Sequence, residues 1–292
     1  MERPLTTSSR RIALLLAYDG RDFSGWQVQP GQRTVQGVLG EALSALSGRT
    51  VGVAGAGRTD AGVSAWGQVA HADLPEGFSV PIDRLARVLN TRLPDSLRII
   101  DCREVSGSFH ARHSARGKIY RYAFRILPEG LSHHPVADLF SAPLRSSFSL
   151  ARARAAGQLF LGTHDFRHFS VASSLPEDST RRIDALFWEE RPAGLVLWVT
   201  GPGFLHRMVR MVGGYLREAG EGRRPLSELP SLLGPGSPPP FRSISPLPPE
   251  GLSLARVLYH EDPFDPRTQN CYPSGNRLPD PPFAKGGNDS HG

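Results

Sequence analysis

The chain has 292 residues, with 34 basic and 28 acidic side chains and a net charge of +6. That length suits two domains or one large α/β body, and lets ~75% of the unfolded surface be buried without a metal or disulfide staple. No run approaches the ~18 apolar residues of a membrane helix, and Met1–Arg11 with the short apolar run Ile12–Ala17 lacks signal-peptide form, so a cytoplasmic protein is expected.

Taken in chain order, Ile12–Tyr18 reads as a short apolar strand that stops at the turn signal Asp19-Gly20. Thr34 is a candidate N-cap for a helix with Val35, Val38, Leu39, Ala42 and Leu46 on one face. Asp83–Arg92 reads as a second helix, and Leu97–Val105 and Lys118–Leu127 as strands. Ser149–Leu161 reads as helix. Arg182–Glu190 and Leu195–Gly201 read as a hairpin around Pro192–Gly194, and Leu205–Ala219 is the longest helical pattern. Strands and helices interleave, which favours α/β or α+β over all-α or all-β. Each half offers strands and two helices, as a pseudo-duplicated body would.

Of 26 prolines, 15 lie from Pro225 onward. Pro235–Pro240 and Pro246–Pro249 cannot be helix interior or central strand, and read as a surface loop before the apolar stretch Leu252–Tyr259. The expected division is 1–110, 111–262 and a disordered tail from 263 to 292. Only Lys118 and Lys285 are lysines, so 32 of the basic residues are arginines. Arginine suits phosphate and stacked bases, but genomic bias produces the same skew.

The densest anomaly is Ala54–Val63, with glycines at 55, 57 and 62 around Arg58, Thr59 and Asp60. So many glycines disfavour a regular helix or strand. A dinucleotide loop wants a glycine where Asp60 stands, and no P-loop lysine follows, so neither nucleotide motif fits. Two readings remain. One is a structural turn capped by Asp60 itself; the other is a catalytic carboxylate on a loop, kept ionised by a neighbouring cation.

Gly57–Val63, followed by Ala65–Val69 and His71, resembles the central motif of the TruA family of tRNA pseudouridine synthases. Further likenesses run in family order from about residue 11 to 260. They are Tyr18–Gly20, Phe23–Gln27, Thr34–Gln36, Phe109–Arg112, Ser114-Ala115, Lys118–Tyr122, Gly162–Phe166, Phe204–Arg210, and Gly251-Leu252 with Leu254 and Val257–Tyr259. The resemblance implies an α/β (α+β) pseudouridine synthase fold: two ferredoxin-like halves with mixed, mainly antiparallel sheets meeting at a central RNA-binding cleft. It implies an isomerase acting on uridines 38, 39 and 40 of the tRNA anticodon stem-loop, without cofactor or metal, as a homodimer.

The resemblance assigns catalysis to Asp60, Tyr120 and Arg210: the carboxylate, the ring over the uracil, and the cation paired with the carboxylate. Substrate binding falls to Arg58, Thr59, Gln68, Tyr120, Arg207 and Leu252. These residue types suit the chemistry. The target base must leave its stack at a cost of a few kcal/mol, and stacking on an aromatic ring recovers ~1–3 kcal/mol. Helical spacing would put Arg207, Arg210 and Arg217 on one basic face, with Arg210 toward Asp60 and the others toward phosphates.

The chain departs from the family pattern at Ser64, Arg207, Met211 and Pro246–Pro249, and none of these removes an expected catalytic group. His110 with His113, and His164 with His168, have spacings that metal sites use, but no third ligand follows either pair. Trp188 and Trp198 read as core or cross-strand partners. A non-catalytic RNA binder would be expected to have lost Asp60, Tyr120 or Arg210; a metal-dependent hydrolase would need a carboxylate–histidine cluster. Cys102 and Cys271 fit neither a disulfide framework nor a zinc site.

Overall fold

A computed structural model of the chain describes residues 10–192, 194–236 and 243–264. Of the tail expected from 263, residues 265–292, Cys271 among them, lie outside the described residues, as do the prolines at 238–240; Phe264 is buried. The fold is mixed α/β with mainly antiparallel pairing. It divides into two compact units: residues up to Arg116 together with the stretch from Ser253, and Gly117–Leu252. The division expected from the sequence, at 110/111 with the last strand in the second half, differs on both counts.

The first unit opens with β1 (Arg10–Tyr18), α1 (Val35–Ser47), β2 (Val53–Gly55), β3 (Ser64–Leu74), α2 (Ile82–Asn90) and β4 (Leu97–Glu104). Ile12 to Leu16 are all buried, so β1 is covered on both faces and carries an unbroken apolar run instead of an alternation. It pairs antiparallel with β3 (Leu14↔Ala70) and β4 (Leu14↔Cys102), and β2 pairs with β3 (Ala54↔His71). The Gly37 amide donates to Thr34 Oγ1 at 3.3 Å, a cap worth about 1 kcal/mol. The buried face of α1 is Val35, Leu39, Ala42 and Leu43; Leu43 displaces the expected Val38 and Leu46, which are half-buried.

The second unit takes up β5 (Ala115–Ile126) from Gly117. It continues through β6 (Ala142–Leu144), α3 (Leu150–Gln158), β7 (Gly162–Asp165), β8 (Thr180–Ile183), β9 (Ala185–Arg191), β10 (Gly194–Gly201), α4 (Met208–Gly220) and α5 (Leu229–Leu232). β10 lies between β9 and β5, antiparallel to both. The expected strand 182–190 is broken at Asp184, whose amide donates to the Thr200 carbonyl at 2.8 Å; β8 pairs instead with β7. Trp188 faces Leu197 and Trp198 faces Phe187 across the hairpin, so the two indoles lie on opposite faces. Both are buried, as core residues and not as each other's partners. Phe160, Phe169 and Tyr215 pack edge-on with centroids 5.1–5.9 Å apart.

Two differences bear on the site. The helix starts at Met208, three residues later than the pattern suggests. Part of the proline-rich stretch is not a surface loop, because Ile244 and Leu247 are buried. Prolines hold that segment extended, so it lies across Gly213 and Gly214 of α4. β11 (Leu252–Tyr259) then returns the chain, from Ser253, to the first unit, where it pairs parallel with β3 at Ser253↔Ser64 and Leu254↔Ala65.

Candidate active site

In the first unit, the glycine-rich anomaly is the connection from β2 to β3. Its first residues, Ala54 and Gly55, still belong to β2. The turn is closed through the main chain, Val63 N–H donating to the Asp60 carbonyl at 3.1 Å. Asp60 is half-buried and Arg58 exposed, while Thr59 is only 7% exposed.

Residues 18–26 form the seat of this loop. Tyr18 OH lies 2.8 Å from Thr59 Oγ1, and Trp26 N–H donates to the Thr59 carbonyl at 3.1 Å. Gly20 N–H donates to Ser64 Oγ at 3.1 Å. Burial pushes the Tyr18 phenol up to about 12, so it stays a neutral hydroxyl. Two glycines permit the close approach. A Cβ on Gly20 would overlap the Val63 carbonyl. One on Gly25, whose φ is +91°, would lie 2.8 Å from the Thr59 oxygen.

Gln68 is fully buried on β3, and its Nε2 donates to the Gly57 carbonyl at 2.8 Å. Thr59 and Gln68, read from the sequence as substrate-binding, therefore hold the loop from behind. Their polar atoms are already engaged within the unit.

In the second unit, Tyr120 sits on β5 opposite Val199. Its ring meets Phe204 edge-on, with centroids 5.2 Å apart and planes at 87°. The sequence reading gave Phe204 no role, although it opens the 204–210 motif. Arg210, in the first turn of α4, is clamped by the proline-rich segment. Its Nε donates to the Leu247 carbonyl at 2.8 Å, and Leu247 N–H donates back to the Arg210 carbonyl at 3.0 Å. Leu252 is buried, and its amide donates to the Pro249 carbonyl at 3.1 Å.

Arg207 does not lie on the helix with Arg210. It occupies the N-cap of α4 in the left-handed region, φ 60° and ψ 10°, the only non-glycine with positive φ among the described residues. Its side chain is exposed, so the expected basic face of three helical arginines is not formed. Arg217 is half-buried, with its Nε shielded from solvent. The left-handed backbone costs about 1–2 kcal/mol, more than the ~0.4–1 kcal/mol that a glycine loses through unfolded-state entropy. Arg207→Gly should therefore melt at or slightly above the parent temperature, which calorimetry checks. A lower melting temperature would show that the conformation is unstrained.

At the root of the loop, His71 of β3 is buried, and its Nδ1 accepts the Ala111 amide at 3.2 Å. Its other ring nitrogen serves the Ala54 carbonyl. Burial lowers its pKa from 6.5 to about 4, and the neighbouring His110 and Arg11 add to the effect. The unfolded chain thus takes up this proton before the folded one. Stability contributed by the neutral ring is full above pH 6.5 and is lost as pH falls toward 4. Denaturant midpoints of the unaltered chain should fall more steeply over that window than those of His71→Gln; parallel curves would contradict this.

Among the described residues no group of three or more His, Cys, Asp or Glu is arranged to hold a metal, and no helix is long and apolar enough to cross a membrane. The His110 and His113 rings instead pack against each other at a tilt of 51°, with centroids 4.3 Å apart.

Comparison with known proteins gives this geometry a context. Residues 15–114 and 156–260 match the family described as tRNA pseudouridine synthase. Those spans contain the Asp60 loop, Arg207, Arg210 and Leu252, while Tyr120 falls between them. A tRNA pseudouridine synthase A of Akkermansia muciniphila is 42% identical over 267 residues, covering 87% of this chain and 97% of that protein. One of Brevibacillus brevis is 40% identical, covering 86% of this chain and all of that protein. One of Lysinibacillus sphaericus is 35% identical with the same coverages. With the match spanning both compact units, the chain belongs to the tRNA pseudouridine synthase family of isomerases.

Proposed function

We propose that this chain isomerises uridine to pseudouridine at positions 38, 39 and 40 of the tRNA anticodon stem-loop, with Asp60 as the catalytic carboxylate. The observation that carries the reading is the seated loop: an ionisable group on a turn held by Tyr18 at the Thr59 hydroxyl, by Gln68 and Trp26 at the Gly57 and Thr59 carbonyls, and by the close approach at Gly20 and Gly25. Such preorganisation is what a nucleophile must have to meet a sugar carbon in a fixed orientation.

The chemistry balances within the substrate. The N1–C1′ bond breaks, the uracil turns, and C5 bonds to C1′. The C5 proton leaves to a base and N1 ends protonated, so the product is an isomer and no outside oxidant or reductant is consumed. Asp60 supplies the carboxylate, beneath the sugar or at C6. Tyr120 gives the freed base a face worth ~1–3 kcal/mol, and its phenol is a candidate acceptor for the C5 proton. Arg210 serves as the cation for the carboxylate, and Arg58 holds the nucleotide out of the stack.

The RNA grip is electrostatic and salt-sensitive, directed at shape more than sequence. In this reading the enzyme works as a homodimer in the cytoplasm, where its tRNA substrates are. The test is direct. Unmodified tRNA transcripts incubated with the purified chain should acquire pseudouridine at 38–40 only. Modification elsewhere would redirect the site assignment, and none at all would remove the enzymatic reading. Sedimentation of the same preparation should give the mass of two chains.

A further inference from the structure

The β4–β5 connection, residues 105–114, contributes none of the site residues above, yet its backbone is pinned from several sides within the first unit. Arg11 Nη1 donates to the Gly107 carbonyl at 2.6 Å and the Phe109 carbonyl at 3.0 Å, while its Nε and Nη2 pair with Asp73 at 2.7 Å. The Ala111 amide donates to His71 Nδ1, and the Ala111 carbonyl accepts the Tyr259 hydroxyl at 2.6 Å. The Phe109 ring packs against Tyr259, with centroids 5.3 Å apart. Ala111 itself is fully buried.

The next two side chains, Arg112 and His113, are exposed. Among the described residues the Arg112 guanidinium makes no hydrogen bond or ion pair, whereas Arg10, Arg11, Arg21, Arg98 and Arg103 in the same unit are each paired with a carboxylate. No Asp or Glu occurs between Glu104 and Glu129, while Arg112, Arg116 and Lys118 do. Glu104, Asp73 and Asp262, acids of the same unit, are held by Arg10, Arg11 and Arg256.

We infer that this connection is a preorganised phosphate-binding platform for the tRNA backbone, with Arg112 as the contacting residue and Arg11, His71 and Tyr259 as positioning residues. A guanidinium on a loop already fixed at Gly107, Phe109 and Ala111 loses little backbone entropy when it meets a phosphate. Its planar fork also matches the phosphate oxygens. The inference rests on the tRNA reading for the identity of the ligand, and on this loop alone for its place.

The test uses the full chain and an unmodified tRNA transcript, with Kd measured across a KCl series and kcat and KM measured at one salt. Arg112→Ala should weaken Kd about tenfold, the loss of one charged hydrogen-bonding contact, and should lower the log–log salt slope by about 0.9. KM should rise in step, with kcat changed less than about twofold. Arg112→Lys should keep most of the slope. Arg103→Ala, whose guanidinium is already held by Asp101, is the control and should leave the slope intact. Tyr259→Phe, which frees the Ala111 carbonyl, should raise KM and leave the slope unchanged, since no charge is lost. An unchanged Kd and slope in Arg112→Ala overturns the platform, as does a fall in kcat with KM unmoved. Failure of the unaltered chain to form pseudouridine would count against the isomerase reading, and the binding comparison would still stand.

Discussion

Asp60→Asn is expected to fold, to bind tRNA within a few-fold of the unaltered chain, and to lose turnover by at least about 10⁴, or ~5.5 kcal/mol of transition-state stabilisation. The amide is nearly the same size as the carboxylate but is neither a nucleophile nor a base at neutral pH. The loop should survive the change because several bonds that seat it do not use the Asp60 side chain. They run from Tyr18 to Thr59, from Gln68 to the Gly57 carbonyl, and from Val63 N–H to the Asp60 main-chain carbonyl. Unfolding of this variant would return the loop to its purely structural reading. Turnover within tenfold of the parent would remove Asp60 from the chemistry.

The second large effect concerns the glycines that seat the loop. Gly20→Ala would drive a methyl into the Val63 carbonyl, and Gly25→Ala would set one 2.8 Å from the Thr59 carbonyl at a φ that L residues avoid. The obstructing atoms are backbone, so no side-chain rotation relieves them, and the loop itself must move. Overpacking of this kind costs about 1–3 kcal/mol, to which Gly25→Ala adds about 1–2 kcal/mol for the left-handed backbone. A shift of about 1 Å in a catalytic group can cost about 10² in rate, so both variants should lose activity out of proportion to their stability. Thermal melts beside steady-state rates measure the two separately. Full activity in folded Gly20→Ala would show that Asp60 does not depend on this seat.

Local patterns in the sequence were enough to recover most elements of the fold. β1, β10 and β11 are apolar-rich runs bounded by turn residues, and Thr34 announces α1 by the chemistry of its cap. β3 carries no such local pattern, although it is the longest strand of the first unit at eleven residues. It is built mostly of Ala, Gly, Ser, Gln and His, and is buried along nearly its whole length. It therefore shows neither alternation nor a β-branched run. Arg207 looked helical because its spacing from Arg210 is right, but a left-handed backbone angle leaves no trace in spacing. The proline-rich stretch looked like surface because proline excludes regular structure. Extended chain can still be buried, and here Leu247 holds Arg210.

The site was legible where function is written in residue type, and illegible where it depends on long-range contact. Asp60, Arg58 and their glycines stand out in the sequence. That Thr59 and Gln68 brace the loop follows from a tyrosine more than forty residues away and from main-chain carbonyls. The anchoring of Ala111 by His71 and Tyr259 joins positions 148 residues apart, and no local pattern reports it.

The central claim is that the seated Asp60 loop serves an isomerisation in which uracil carbon replaces uracil nitrogen on the same sugar. A tRNA transcript carrying tritium at uridine C5 tests this most directly, because C5 must give up its hydrogen when it bonds to C1′. The unaltered chain, treated with EDTA and given no cofactor, should release one triton to water for each pseudouridine formed, with no free uracil. Free uracil, or pseudouridine formed without matching tritium release, would contradict the claim.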